Sequence, residues 1–214
     1  MENQLQRKNA YMMLLCWVAY FVLYYLTENL IPPERFHLIH IPLDDRIPFR
    51  EEFAVFYVGW YGLVAISLLY FLLRDQRSFR QLQTYFIIVQ LLATAVYLLY
   101  PTYQDLRPAS FPRENLLTKI MAFIYRLDTP TGVCPSLHVA MSAGIGSVWL
   151  KRRCNLWLKG GIAFFCLGVC ASVVFVKQHS AADVFAAIPL CLIAQRFVFY
   201  RNSRAGACSR RKSI

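Results

Sequence analysis

Charge is scarce in this chain. Of its 214 residues, 16% are Asp, Glu, Lys or Arg, against roughly 25% in an average soluble domain. Acidic residues are the rarest of these, 12 against 23 Lys and Arg, for a net charge of +11. With 57% hydrophobic residues, 15% aromatics and a mean hydropathy of +0.40, this shortage argues against a soluble enzyme or a disordered tail. Cysteine motifs are lacking as well. The seven cysteines are odd in number, form no CxxC and sit mostly in apolar runs, so neither a disulfide framework nor a zinc site is expected. Buried thiols are the plain reading, and Cys208 in the basic tail is a candidate for lipidation. No internal repeat and no low-complexity segment occurs. The first apolar run also has no small-residue cleavage site behind it, so it reads as a span and not as a signal peptide.

What is present is a series of apolar runs. A bilayer crossing needs about 20 mostly apolar residues, and six candidates fit: Ala10–Leu30, Phe53–Leu73, Gln83–Tyr100, Pro135–Leu150, Leu156–Val176 and Ala181–Tyr200. Each ends in charge or turn chemistry. Pro32-Pro33 stops the first, because proline has no amide donor, and Arg74-Asp75-Gln76-Arg77 stops the second. The last two runs nearly touch at Lys177-Gln178-His179, which requires a tight hairpin. Residues 115–127 carry apolar positions at helical spacing and read as an amphipathic helix at the membrane surface. The expected fold is all-α: a polytopic membrane protein, one domain over 1–214, built as a six-transmembrane-helix bundle with a basic tail at 201–214.

The basic residues set the orientation. With the N-terminus inside, 15 of the 23 Lys and Arg fall on the inner side, where the acidic residues are Glu2 and Asp75 alone. Both termini are therefore expected to be cytoplasmic. The positive charge is a topology signal together with contacts to anionic lipid, so the partner is the bilayer and no nucleic acid is expected.

This orientation gathers ionisable residues at the outer face. His138 starts the fourth span, His179 and Asp183 start the sixth, Arg107 follows the third, and Lys177 lies in the outer hairpin. Ionisable residues at span ends are functional candidates by default. His179 and Asp183 are four apart and share a helix face. A carboxylate there fixes the imidazole tautomer and leaves the other ring nitrogen free as a nucleophile or base. In Cys134–Ala140 (CPSLHVA), Pro135 and Ser136 suit a helix start, whose free amides attract phosphate. His138 in that turn is placed to give a proton to a leaving oxygen. Arg107 and Lys177 would neutralise phosphoryl oxygens. Two histidines, one carboxylate and two cations suggest phosphoryl transfer through a phosphohistidine, with no metal and no cofactor. His37, His40, Asp44 and Asp45 lack tight ligand spacing and read as a wet surface loop. Tyr24, Tyr25, Trp60, Tyr61, Tyr97 and Tyr100 read as interfacial belt residues.

The pieces QDLRP (104–108), CPSLHVA (134–140) and VKQHSAAD (176–183) resemble the type 2 phosphatidic acid phosphatase superfamily. The resemblance is closest to its branch with inositol phosphorylceramide synthase-like proteins, and it covers about 84–200. The family pattern is K-x6-R-P, P-S-G-H and S-R-x5-H-x3-D. Arg107-Pro108 match the first piece, Pro135, Ser136 and His138 the second with Leu137 replacing glycine, and Ser172, His179 and Asp183 the third. The family lysine and arginine fall at Tyr100 and Val173, so Lys177 and Arg113 are the nearest replacements. The resemblance implies catalytic His179, His138 and Asp183, with Arg107, Lys177, Ser136 and Arg113 binding phosphate. It implies an outward-facing lipid phosphate or diphosphate phosphatase in a bacterial cytoplasmic membrane. The alternatives are a phosphotransferase moving a headgroup between lipids, or a non-enzymatic membrane protein, the latter suggested by the missing cations.

Overall fold

The computed structural model describes residues 2–200; the basic tail at 201–214, with Cys208, lies outside them. Eight α-helices follow in chain order: α1 (Glu2–Leu30), α2 (Pro42–Arg46), α3 (Ala54–Arg74), α4 (Gln76–Leu99), α5 (Leu116–Leu127), α6 (Leu137–Lys151), α7 (Leu156–Phe175) and α8 (Ala181–Gln195), the last running on into a π-helical turn at Arg196–Tyr200. The strands are two short pieces, β1 (His37–Leu38) and β2 (Thr102–Tyr103), paired in parallel with His37 opposite Thr102.

Five helical segments among the described residues are long and apolar enough to cross a membrane: Met12–Leu30, Glu51–Arg74, Gln76–Leu99, Leu156–Phe175 and Ala181–Phe199. The remaining expected crossing is the helix α6, which has 15 residues and so spans only about 22 Å, short of the ~30 Å hydrocarbon layer. Its place explains its composition. Helix α6 packs against α3, α4, α7 and α8, and ten of its residues, including Ala140, Ser142, Gly144 and Gly146, are buried. Small residues let neighbouring backbones close in where apolar burial gives little drive. At Gly144 a Cβ would lie 2.5 Å from the Tyr85 ring of α4, so that crossing requires glycine. The outer helices reverse the soluble pattern. Leu15, Val18 and Phe21 on α1, Leu69 and Leu73 on α3, and Phe164 and Leu167 on α7 all face outward.

Helix boundaries follow local chemistry. The third expected span began at Gln83, yet α4 starts seven residues earlier. Asp75 accepts from the Arg77 and Ser78 amides and caps the polar first turns, which hydropathy alone leaves out. Asp75 also pairs with Arg152 at the end of α6, tying the α3–α4 turn to the basic end of the bundle. The amphipathic helix is present as α5, capped reciprocally by Asn115 and Thr118. Helix α1 is peripheral and joins α4 through Gln83, which accepts from Trp17 Nε1 at 3.1 Å and donates to the Met13 carbonyl at 3.0 Å.

Candidate functional site

At the end of the bundle opposite Arg152, the hairpin between α7 and α8 sets the site. Lys177 adopts a left-handed φ of 53°, and the amides of Gln178 and His179 both donate to the Val173 carbonyl at 3.0 Å. This turns the chain sharply and delivers His179 to the start of α8. Ser180 caps α8 through the Ala182 amide, while Asp183 reaches back to the Ser180 amide at 3.0 Å. The same Asp183 Oδ2 lies 3.1 Å from His179 Nδ1, and the Val133 carbonyl lies 2.9 Å from that nitrogen. A carbonyl and a carboxylate only accept, so Nδ1 carries a proton, and in the neutral ring the lone pair is on Nε2. Asp183 is fully buried and His179 nearly so.

His138 arrives from the first turn of α6. Its ring stacks on Tyr57 at 4.7 Å, lies 4.2 Å from Trp60, and meets the His179 ring edge-on at 5.6 Å. Its Nε2 is buried and has no hydrogen-bond partner among the described residues, and the same holds for Ser136 Oγ. The Ser136 amide donates to the Asp183 carbonyl at 3.1 Å, which locks the start of α6 to α8. Thr102 and Tyr97 hold the loop before α6 by bonds to the Cys134 amide and the Pro135 carbonyl. That loop supplies the Val133 carbonyl to His179. Burial, reinforced by Asp183, pushes the Cys134 thiol up to about 12, which favours its protonated form.

Both histidines line a cavity of about 550 Å³ between α1, α3, α6 and the loop after α5. Its polar end holds Asp128, Thr129, Thr131 and Gln178, and its other end runs along Leu14, Phe21, Leu68 and Met141. Tyr24, Trp60, Tyr61 and Tyr97, expected as interfacial belt residues, line this cavity, while Tyr25 and Tyr100 remain exposed. The sequence places all six near span ends, and Tyr61 lines the cavity while staying as exposed as Tyr100.

The expected phosphate-binding cations lie elsewhere. Arg107 donates to the carbonyls of Tyr125, Asp128 and Thr129 and to Gln178 Oε1. It therefore caps the C-terminus of α5, where a cation meets the negative dipole end. Lys177 Nζ donates to the Asp44 carbonyl at 2.8 Å. Burial lowers the Lys177 ammonium, with Asp44 and Asp45 pulling the other way. Arg113 is exposed and pairs with Glu51 at 3.6 Å and Glu52 at 3.9 Å. Among the described residues, no lysine or arginine lines the cavity. Ser172 is buried in α7, bonded to its own helix at Val169.

Three contributors were not among the site residues expected from the sequence. Asp44, expected in a wet loop, is buried. It accepts from the Ala181 amide at 2.8 Å, Ser180 Oγ at 2.6 Å and the Ile41 amide at 2.9 Å, so a carboxylate already occupies the start of α8. The rest of that loop is wetter: His40 bridges Asp45 and Asp105 at the surface. Asp128 accepts from Tyr24 at 3.2 Å and Gln178 Nε2 at 3.3 Å, and Val133 acts through its backbone alone. The Pro42 turn was the one cue for Asp44. No protein-family model, curated protein or solved structure matches this chain.

Proposed function

We propose that this chain is an integral-membrane lipid phosphate phosphatase that works through a phosphohistidine, in the manner of the type 2 phosphatidic acid phosphatases. The observation that carries the reading is the placement of His179 and His138, edge to face at 5.6 Å, at the polar end of an otherwise apolar cleft. A lipid enters sideways with its chains along Leu68 and Met141 and its phosphorus at His179 Nε2. The nitrogen attacks, the N–P bond forms, and the bond from phosphorus to the leaving oxygen breaks as His138 gives that oxygen a proton. Asp183 balances the positive charge that grows on the His179 ring. In the second half, the acceptor loses its proton to His138, its oxygen attacks phosphorus, and the N–P bond breaks. Ser136 Oγ, a buried donor without a partner among the described residues, and the amides of the first turn of α6 suit a phosphoryl oxygen.

A second reading, a phosphotransferase with a lipid hydroxyl as acceptor, is favoured by one observation. The cavity lacks the cations that a doubly charged phosphate monoester wants. In either case α6 acts as a sixth, sheathed membrane helix. Arg74, Arg77, Lys151, Arg152 and Arg153 mark the cytoplasmic end, both termini lie on that side, and the site faces outward.

The test uses purified protein in detergent with chelator present. Lipid phosphates are supplied, and both phosphate release and an acid-labile, alkali-stable phosphoprotein are measured. His179→Ala is expected to abolish the phosphoprotein and cut turnover by at least about a hundredfold. Unchanged turnover would remove His179 as nucleophile. A reporter fused after Ile214 that is exported would overturn the orientation.

A further inference from the structure

The charge in the cavity is opposite to what a phosphate alone would call for. One carboxylate, Asp128, lines it together with Trp17, Tyr20, Tyr24, Trp60 and Tyr61. A second carboxylate, Glu28, stands directly behind, accepting from Thr131 Oγ1 at 2.8 Å. These rings come from two helices, α1 and α3, and adjoin one another: Trp17 lies 6.3 Å from Tyr20, Tyr20 lies 6.2 Å from Tyr24, and Trp60 lies 5.0 Å from Tyr61. Ring faces carry negative potential and attract cations, above all quaternary ammonium groups, which have no N–H to satisfy. Burial holds the Asp128 carboxyl above its usual range, with Arg107 pulling it back. A cation in the cavity would favour its ionised form.

We propose that this aromatic and acidic enclosure binds the quaternary ammonium of a phosphocholine-type lipid headgroup, so that the lipid handled here is zwitterionic. The geometry fits one molecule across both sites. Asp128 is one hydrogen bond from Gln178, the neighbour of His179. Both histidines, Asp128 and the rings line one cavity, so a phosphodiester at His179 Nε2 and an ammonium against the carboxylate share the same space. The same arrangement disfavours a headgroup without a cation, such as glycerol, which would bring Asp128 and the rings no positive charge. Where the phosphorus sits rests on the phosphotransferase form of the phosphohistidine reading, since a phosphocholine lipid is a phosphodiester and not a phosphate monoester; the cation enclosure stands on the cavity lining alone.

The experiment keeps the two apart by reading binding in the His179→Ala protein, where no chemistry proceeds. Short-chain phosphatidylcholine, phosphatidylethanolamine and phosphatidylglycerol, which share the phosphodiester, are titrated against the detergent-purified full chain while tryptophan fluorescence is followed. Phosphatidylcholine is expected to bind at least tenfold tighter than phosphatidylglycerol. Asp128→Asn and, separately, Trp60→Leu are expected to reduce that ratio at least fivefold. Phosphatidylglycerol binding as well as phosphatidylcholine, or a ratio unmoved in both variants, overturns the proposal. Tighter binding of phosphatidylethanolamine overturns the quaternary assignment. Choline selectivity without turnover in the wild type would leave the enclosure standing and remove the phosphohistidine reading. Turnover without selectivity would do the reverse.

Discussion

Asp183→Asn isolates the electrostatic part of the site. The carboxylate is fully buried, its Oδ2 shared between His179 Nδ1 at 3.1 Å and the Ser180 amide at 3.0 Å. Asparagine keeps an oxygen for the Ser180 amide, so the start of α8 survives, but its NH2 replaces the buried, unpartnered Oδ1 and should cost about 1–3 kcal/mol of stability. The imidazole tautomer also survives, because the Val133 carbonyl holds Nδ1–H independently at 2.9 Å. What is lost is the negative charge facing a ring that, on the proposed mechanism, becomes cationic when phosphorylated. A charge-assisted hydrogen bond contributes about 1.5–3 kcal/mol, and each 1.36 kcal/mol is tenfold in rate. Phosphoryl transfer should therefore slow by about 10- to 150-fold, not vanish. Single-turnover formation of the phosphoprotein, run beside a thermal melt in detergent, measures both quantities. A change below twofold in a protein still folded at the assay temperature would refute the charge-balancing role. Complete loss of activity in a protein still folded there would refute the claim that Val133 fixes the tautomer by itself.

Asp44→Ala leaves the Ala181 amide and Ser180 Oγ buried without their acceptor. It should cost about 2–3 kcal/mol, read as a lowered melting temperature. Gly144→Leu drives a side chain into the Tyr85 ring, where even a Cβ sits at 2.5 Å. Overpacking of this kind costs about 1–3 kcal/mol or prevents assembly, which melting and size exclusion detect. Hydrogen bonds to Asp45, then Asp105, raise the His40 pKa. A group with a raised folded pKa stabilises fully below its unfolded value, ordinarily about 6.5, and loses that contribution as pH rises through the folded one. Amide exchange in residues 37–46 should therefore quicken more between pH 6 and 8.5 than expected from intrinsic exchange rates, and His40→Asn should remove that excess.

The sequence alone determined the helices and the identities of the central polar groups. Apolar runs, prolines and polar breaks are local signals, and hydrogen bonds within a helix need no distant partner, so α3 and α7 were legible at both ends, α1 at its C-terminal end and α8 at its start. The polar first turns of α1, which begin eight residues before the expected span, were not. His179 and Asp183 were legible as a pair because four residues is one helical turn. Only the tertiary structure decided what each charge is for. Arg107, Lys177 and Arg113 look alike in sequence as phosphate ligands. Packing commits the first to the carbonyls ending α5, the second to the Asp44 carbonyl and the third to Glu51 and Glu52. The same holds for the rings. Tyr24 and Tyr25 are neighbours in sequence, yet the 100° step between helix positions turns the first into the cavity and the second outward. Asp128 and Asp44 gain their places by contacts across more than a hundred residues. Burial and partner choice at that range are properties of the packed bundle, which no local pattern encodes.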